Sequence, residues 1–166
     1  VGDRVISAVG VEDSVVNASD GFVRAFNVKS GALEWEFNPI PPAYVNETGA
    51  ANVWSTLSAD LERGLVFLPT TSPSSDFFGC TRKFKLPYAT ATVALSAETG
   101  NPVWHYQTTQ HDVYDYDLPG HPLLVTIKKD GALHDVAIQQ SKSGYVFVFD
   151  RDTGESLYPI EERAVP

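Results

Sequence analysis

The sequence predicts an all-β fold, a partial β-propeller of about three blades, from three observations. Three eleven-residue segments share one pattern: AFNVKSGALEW (25–35), ALSAETGNPVW (94–104) and VFDRDTGESLY (148–158). Their glycines, Gly31, Gly100 and Gly154, recur 69 and then 54 residues apart. That spacing is too wide for adjacent strands but suits four-stranded sheets joined by loops of varying length. No run of apolar residues carries the period of a helix of useful length.

Each segment reads as a β-hairpin. A strand-like run (21–26, 90–95 or 144–149) leads to Asn27, Ser96 or Asp150, then to a polar turn whose Gly supplies positive φ. A second strand follows, headed by Trp35, Trp104 or Tyr158. Further strand candidates lie at 53–57, 64–69, 123–127 and 135–139, with turns marked at 60–64 and 129–131. Residues 38–49, with three prolines, and 70–87, rich in Ser, Gly and Pro, read as long loops, a class that often carries function. The whole chain, 1–166, is expected to be one partial propeller domain.

Composition narrows the function classes. With 12 basic against 21 acidic residues the formal charge is −9, which repels phosphate backbones and anionic lipid, so nucleic acid is not an expected partner. No stretch approaches the roughly 18–20 apolar residues of a membrane helix. Cys80 is the only cysteine, which excludes an intrachain disulfide and a paired-Cys metal or redox site. A Gly-rich strand-to-helix fingerprint for nicotinamide or flavin binding is missing.

The densest chemistry lies in HDVYDYDLPGHP, where His111, Asp112, Asp115, Asp117 and His121 fall within eleven positions beside Tyr114 and Tyr116. Carboxylates crowded in this way raise one another's pKa and favour a cation or a general-base role. From composition alone, a solvated acidic loop is the first reading and a catalytic one the second.

The hairpin repeat resembles the tryptophan-docking motif of the eight-bladed propellers that bind pyrroloquinoline quinone (PQQ). Over the whole chain, DGFVRAFNVKSGALEWEFNP, ANVWSTLSAD, GLVFLPTTSP, YATATVALSAETG, WHYQTTQHDVYDYDLP, KSGYVFVFDRDTG and PIEERAVP are similar to the membrane-bound glucose dehydrogenase type of quinoprotein. Parents of that family are several times longer, so the resemblance implies the middle of a propeller. It implies that Asp115, the first Asp of D-x-D-L-P, takes the substrate hydroxyl proton, although Tyr114 stands where the family usually has Trp. It places Lys142 on the quinone oxygens and Trp54 as the floor under the flat cofactor. It sets Glu12 and Asp13 where the family commonly shows an Asp-Asn pair implicated in binding Ca²⁺ or Mg²⁺. Thr70 and Thr71 fall in a loop of metal and cofactor contacts. Cys80 replaces a second Gly after Gly79, so the adjacent-cysteine disulfide of the alcohol dehydrogenase branch is absent, which favours the sugar and polyol branch.

The implied function is oxidation of a sugar or polyol hydroxyl, of glucose or quinate type, with electrons passed to ubiquinone. The implied location is the periplasm, with the parent anchored in the bacterial inner membrane by segments outside this chain. The remaining blades, or self-association through open sheet edges, are the expected partners, and the isolated piece is expected to be inactive. The competing reading is a non-catalytic propeller module for protein binding or scaffolding, which has no need of Trp54, Asp115 and Lys142 together.

Overall fold

The computed structural model describes residues 1–161, and among these ten strands form three antiparallel sheets. Residues 162–166, the end of the PIEERAVP segment, lie outside the described residues. The first sheet runs β1 (Arg4–Ser7), β2 (Val23–Asn27), β3 (Leu33–Phe37). The second runs β4 (Ser58–Asp60), β5 (Leu65–Pro69), β6 (Ala91–Ser96), β7 (Pro102–Gln107). The third pairs β8 (Leu123–Lys129), β9 (Ala132–Gln140) and β10 (Val146–Asp150) in chain order. The only helical element among the described residues is a 3₁₀ turn at Gly79–Thr81.

All three predicted hairpins form at their glycines, with φ of 71°, 74° and 75° at Gly31, Gly100 and Gly154. Two expectations need correction. Only the middle sheet has four strands among the described residues; in the third, the limb expected to be headed by Tyr158 shrinks to one bridge between Phe149 and Ser156. The predicted strand at 53–57 is also absent. Ala50 and Ala51 take left-handed φ of 56° and 50°, which breaks the pleat. Pairing resumes only at Ser58, and the freed backbone carries Trp54 outward to 47% exposure.

The sheets stack through the tryptophans. The Trp35 ring lies where a Cβ on Gly100 would come within 2.6 Å of it, and its Nε1–H donates to Ala97 O at 3.0 Å. Trp104 repeats this one sheet on: it covers Gly154 at 2.6 Å and donates to Arg151 O at 3.0 Å. Only a residue without a side chain admits a ring so close to its Cα. Trp35 joins Val23, Val66, Leu68 and Val93 in the core between the first two sheets. Trp104 sits between Phe67 and Phe149, with each pair of ring centroids 5.8 Å apart, in the core between the second and third.

Because neighbouring strands alternate in direction, successive loops alternate between the two ends of each sheet. The three glycine hairpins close one end. Residues 38–57, 70–90, 108–122 and 141–145 therefore all emerge at the other end. These loops are not solvent-borne, since Thr70 to Asp76 are all buried.

Candidate active site

All four of these loops meet at Asp117. Its carboxylate, 2% exposed, accepts from Trp54 Nε1 at 2.9 Å, Ser72 N at 2.8 Å and Lys142 Nζ at 3.0 Å, and its carbonyl accepts from Lys142 N at 3.0 Å. Lys142 stands in the turn between β9 and β10, a position from which its Nζ also reaches Asp115 Oδ2 at 2.7 Å. The same ammonium lies 5.8 Å from the Trp54 ring centroid, within cation–π range. Trp54, Asp115 and Lys142, scattered over 89 positions of sequence, thus form one contact network at the mouth of the sheets.

Asp115 is half-buried and has φ of 56°, in the left-handed region that few non-glycine residues enter. Burial pushes its pKa up; the Lys142 hydrogen bond pulls it back, and the charge and hydrogen bond of Asp117 raise it again, leaving it above the ordinary carboxylate value. For Lys142, burial works against the charge, but the bonds to Asp115 and Asp117 outweigh it and raise the pKa. The pair is a carboxylate whose hold on a proton is strengthened by burial beside a cation that stays charged.

The solvated-loop reading of HDVYDYDLP fails at Asp112 and Asp117, each 2% exposed. Asp112 Oδ2 accepts from Ser72 Oγ at 2.7 Å, Thr90 Oγ1 at 3.1 Å and Tyr116 N at 2.8 Å, and Oδ1 from Tyr114 N at 2.9 Å. Arg82, 1% exposed, donates through Nη2 to the carbonyls of Asp112 (2.7 Å) and Ser75 (3.1 Å). Asp112 and Asp117 were expected only as members of a crowded carboxylate group, and Ser72, Thr90 and Arg82 were not expected at the site. Asp112 and Asp117 lay inside the motif that the sequence singled out, whereas Ser72 and Arg82 approach from another loop and leave no local signal. Tyr114, in place of the family's Trp, is 67% exposed, its ring 5.5 Å from that of Tyr116.

The other candidates divide. Thr70 Oγ1 is spent on Tyr88 O and Ala91 O, at 2.6 and 2.9 Å. Thr71 Oγ1 is buried with no hydrogen-bond partner, as are both amide atoms of Asn52, whose carbonyl accepts from Thr71 N at 3.0 Å. Buried polar atoms without partners and an exposed flat indole are the donor set that a planar, oxygen-rich cofactor such as PQQ would use. Glu12 and Asp13 stand in different surroundings. Glu12 is exposed and bonds Ser14. Asp13 is half-buried, and burial, then the charges of Asp76 and Asp117, push its pKa up. Among the described residues no three His, Cys, Asp or Glu side chains gather closely enough to hold a metal ion, so these residues do not by themselves fit a Ca²⁺ or Mg²⁺ site. Cys80 is exposed and unpaired with any other cysteine.

Comparison with known proteins agrees with this architecture. The family "PQQ: Glucose/ethanol/alcohol dehydrogenase, beta-propeller domain" matches residues 1–166. Quinoprotein glucose dehydrogenase A of Acinetobacter calcoaceticus is 34% identical over 176 aligned positions, covering 99% of this chain and 22% of that protein. The quinate/shikimate dehydrogenase (quinone) of Acinetobacter baylyi is 33% identical, with coverage of 99% and 22%. The chain thus spans 22% of the length of these curated relatives. The quinohemoprotein alcohol dehydrogenase ADHIIG from Pseudomonas putida HK5 superposes on 95% of this chain and 26% of its own, with a TM-score of 0.82 and 27% identity.

Proposed function

The chain belongs to the β-propeller domain family of PQQ-dependent glucose, ethanol and alcohol dehydrogenases, and from that premise we propose that it supplies the catalytic base and part of the cofactor cradle of a dehydrogenase acting on a sugar or polyol. Glucose- and quinate-type substrates suit the reading, because relatives named for both share about a third of its residues. The parent works in the periplasm and passes electrons to ubiquinone. The remaining blades complete the cradle and the divalent-ion site.

The observation that carries the proposal is the Asp115–Lys142 pair, 2.7 Å apart beside the exposed Trp54 ring. PQQ, when bound, supplies the two-electron acceptor for the alcohol carbon. Asp115 takes the proton of the substrate hydroxyl at its carboxylate, which its raised pKa equips it to hold. An ammonium has three donors. Lys142 uses two on Asp115 and Asp117, and its third would stabilise an oxygen on which negative charge grows. Trp54, braced by Asp117, and Thr71, whose Oγ1 has no hydrogen-bond partner, would help to hold the planar ring.

The test is Asp115→Asn in the full-length protein reconstituted with PQQ and a divalent ion. Turnover should fall by about 10²–10⁴-fold, with the fold and PQQ affinity retained; wild-type turnover would sink the assignment. The isolated chain should bind PQQ weakly or not at all, because its cradle is incomplete. Stoichiometric micromolar binding in a titration with Ca²⁺ or Mg²⁺ present would refute that.

A further inference from the structure

We infer that Asp112 is a positioning residue that aims Asp115, an inference that rests on the reading of Asp115 as the base. Asp112 reaches over Asp115 in sequence and captures the amide on each side of it, Tyr114 N at 2.9 Å on Oδ1 and Tyr116 N at 2.8 Å on Oδ2. The residue enclosed by those two amides is the one held at φ of 56°. Hydrogen bonds to a buried carboxylate are charge-assisted and short, so this is a stiff clamp.

The clamp is itself anchored from outside its loop. Ser72 Oγ and Thr90 Oγ1 hold Oδ2, and Arg82 Nη2 holds the Asp112 carbonyl. Ser72 also donates its backbone N–H to Asp117, so a single residue ties the clamp to one of the two carboxylates that receive Lys142. The geometry leaves Asp112 no route to the substrate: it is 2% exposed, and its two oxygens already serve four donors. Its effect reaches the chemistry only through the backbone of Asp115. The structural account of the same bonds, loop stability alone, predicts lower stability but no change in how Asp115 titrates.

Asp112→Asn separates the two. An amide offers one acceptor oxygen. Facing Tyr114 N, it turns its NH₂ against Tyr116 N–H, and facing Tyr116 N it does the reverse, so one flanking amide is always released. In the full-length protein loaded with PQQ and a divalent ion, kcat should fall about 10- to 100-fold with KM nearly unchanged, the range that a roughly 1 Å misplacement costs. The acid limb of kcat/KM should move to higher pH, because the Lys142 bond that pulls the Asp115 pKa down is loosened while burial remains. Hydrogen exchange in the 111–118 segment should quicken at least tenfold, even without cofactor.

Unchanged kcat and acid limb in Asp112→Asn, with Asp115→Asn inactive, would overturn the inference and leave the base assignment standing. An active Asp115→Asn would instead remove the base assignment and this inference with it. If Asp112→Asn fails to fold, Thr90→Ala removes one donor from the same oxygen. A few-fold loss of kcat with the same displacement of the acid limb supports the role, and no displacement overturns it.

Discussion

Asp115 and its two neighbours show how the same charges can be told apart by the direction in which they move one pKa. Burial raises the Asp115 pKa, the Lys142 bond lowers it and Asp117 raises it. A base works deprotonated, so activity falls as pH drops through that raised pKa. Lys142→Met removes the lowering contact and should move the acid limb of kcat/KM further up, in addition to reducing kcat. Asp117→Asn removes a like charge and should move it down. Opposite displacements in the two variants, read from pH–rate profiles, identify Asp115 as the titrating group; parallel displacements would assign the limb to another residue.

At the scale of the element, the hairpin and its tryptophan form the unit of cohesion. Trp104 joins two sheets through the ring it lays on Gly154 and the hydrogen bond it gives Arg151 O. Trp104→Ala should therefore cost about 3–5 kcal/mol, the usual range for emptying a buried aromatic site, measured by denaturant melts of the protein. Gly154→Ala acts on the same contact from the other side. Its Cβ would lie 2.6 Å from the Trp104 ring at a φ of 75°, so a loss of about 1–3 kcal/mol is expected from overpacking, plus the left-handed penalty. Gly131→Ala is the control, with φ of 84° and nothing within 4 Å of the new methyl, and should show the backbone penalty alone.

At the scale of the whole molecule, the second and third sheets are also clasped by charge. Arg63, in the β4–β5 turn, reaches Asp135 and Asp152 at 2.8 Å each, while Arg151 returns to Asp60 at 2.9 Å. Burial alone would raise the Asp60 pKa, but the Arg63 N–H and the Arg151 and Arg63 guanidiniums bring it to about 2. A carboxylate whose pKa is lower folded than unfolded stabilises the fold above its unfolded value, near 4, and loses that contribution as pH falls toward the folded one. The protein should therefore lose stability between about pH 4 and 2, and Asp60→Asn should be less stable at pH 7 with a shallower acid transition. An unchanged transition would mean that the clasp is not coupled to unfolding. A Cβ on Gly31 would meet nothing within 4 Å, while Tyr158 stands 48% exposed.

The sequence by itself determined the parts of this protein whose physics is local. Period-2 runs and turn glycines placed the three hairpins, because a positive φ and a pleat are set within a few residues. The repeat of Gly31, Gly100 and Gly154 implied stacked sheets, and Asp115, Lys142 and Trp54 were legible as candidates through their resemblance to a known family. Only the tertiary structure decided what depends on approach between distant segments. It turned Trp54 out of an expected strand, because left-handed Ala50 and Ala51 break the pleat. It left Glu12 exposed and Asp13 half-buried, and it brought Ser72 and Arg82 onto the motif loop. In the sequence, Asp112, Asp115 and Asp117 are three similar acids in one polar run. Burial and partners make the first a clamp, the second a half-buried carboxylate with a raised pKa and the third the hub that holds Trp54 and Lys142. Desolvation and hydrogen-bond geometry are properties of the folded surroundings, and no spacing along the chain encodes them.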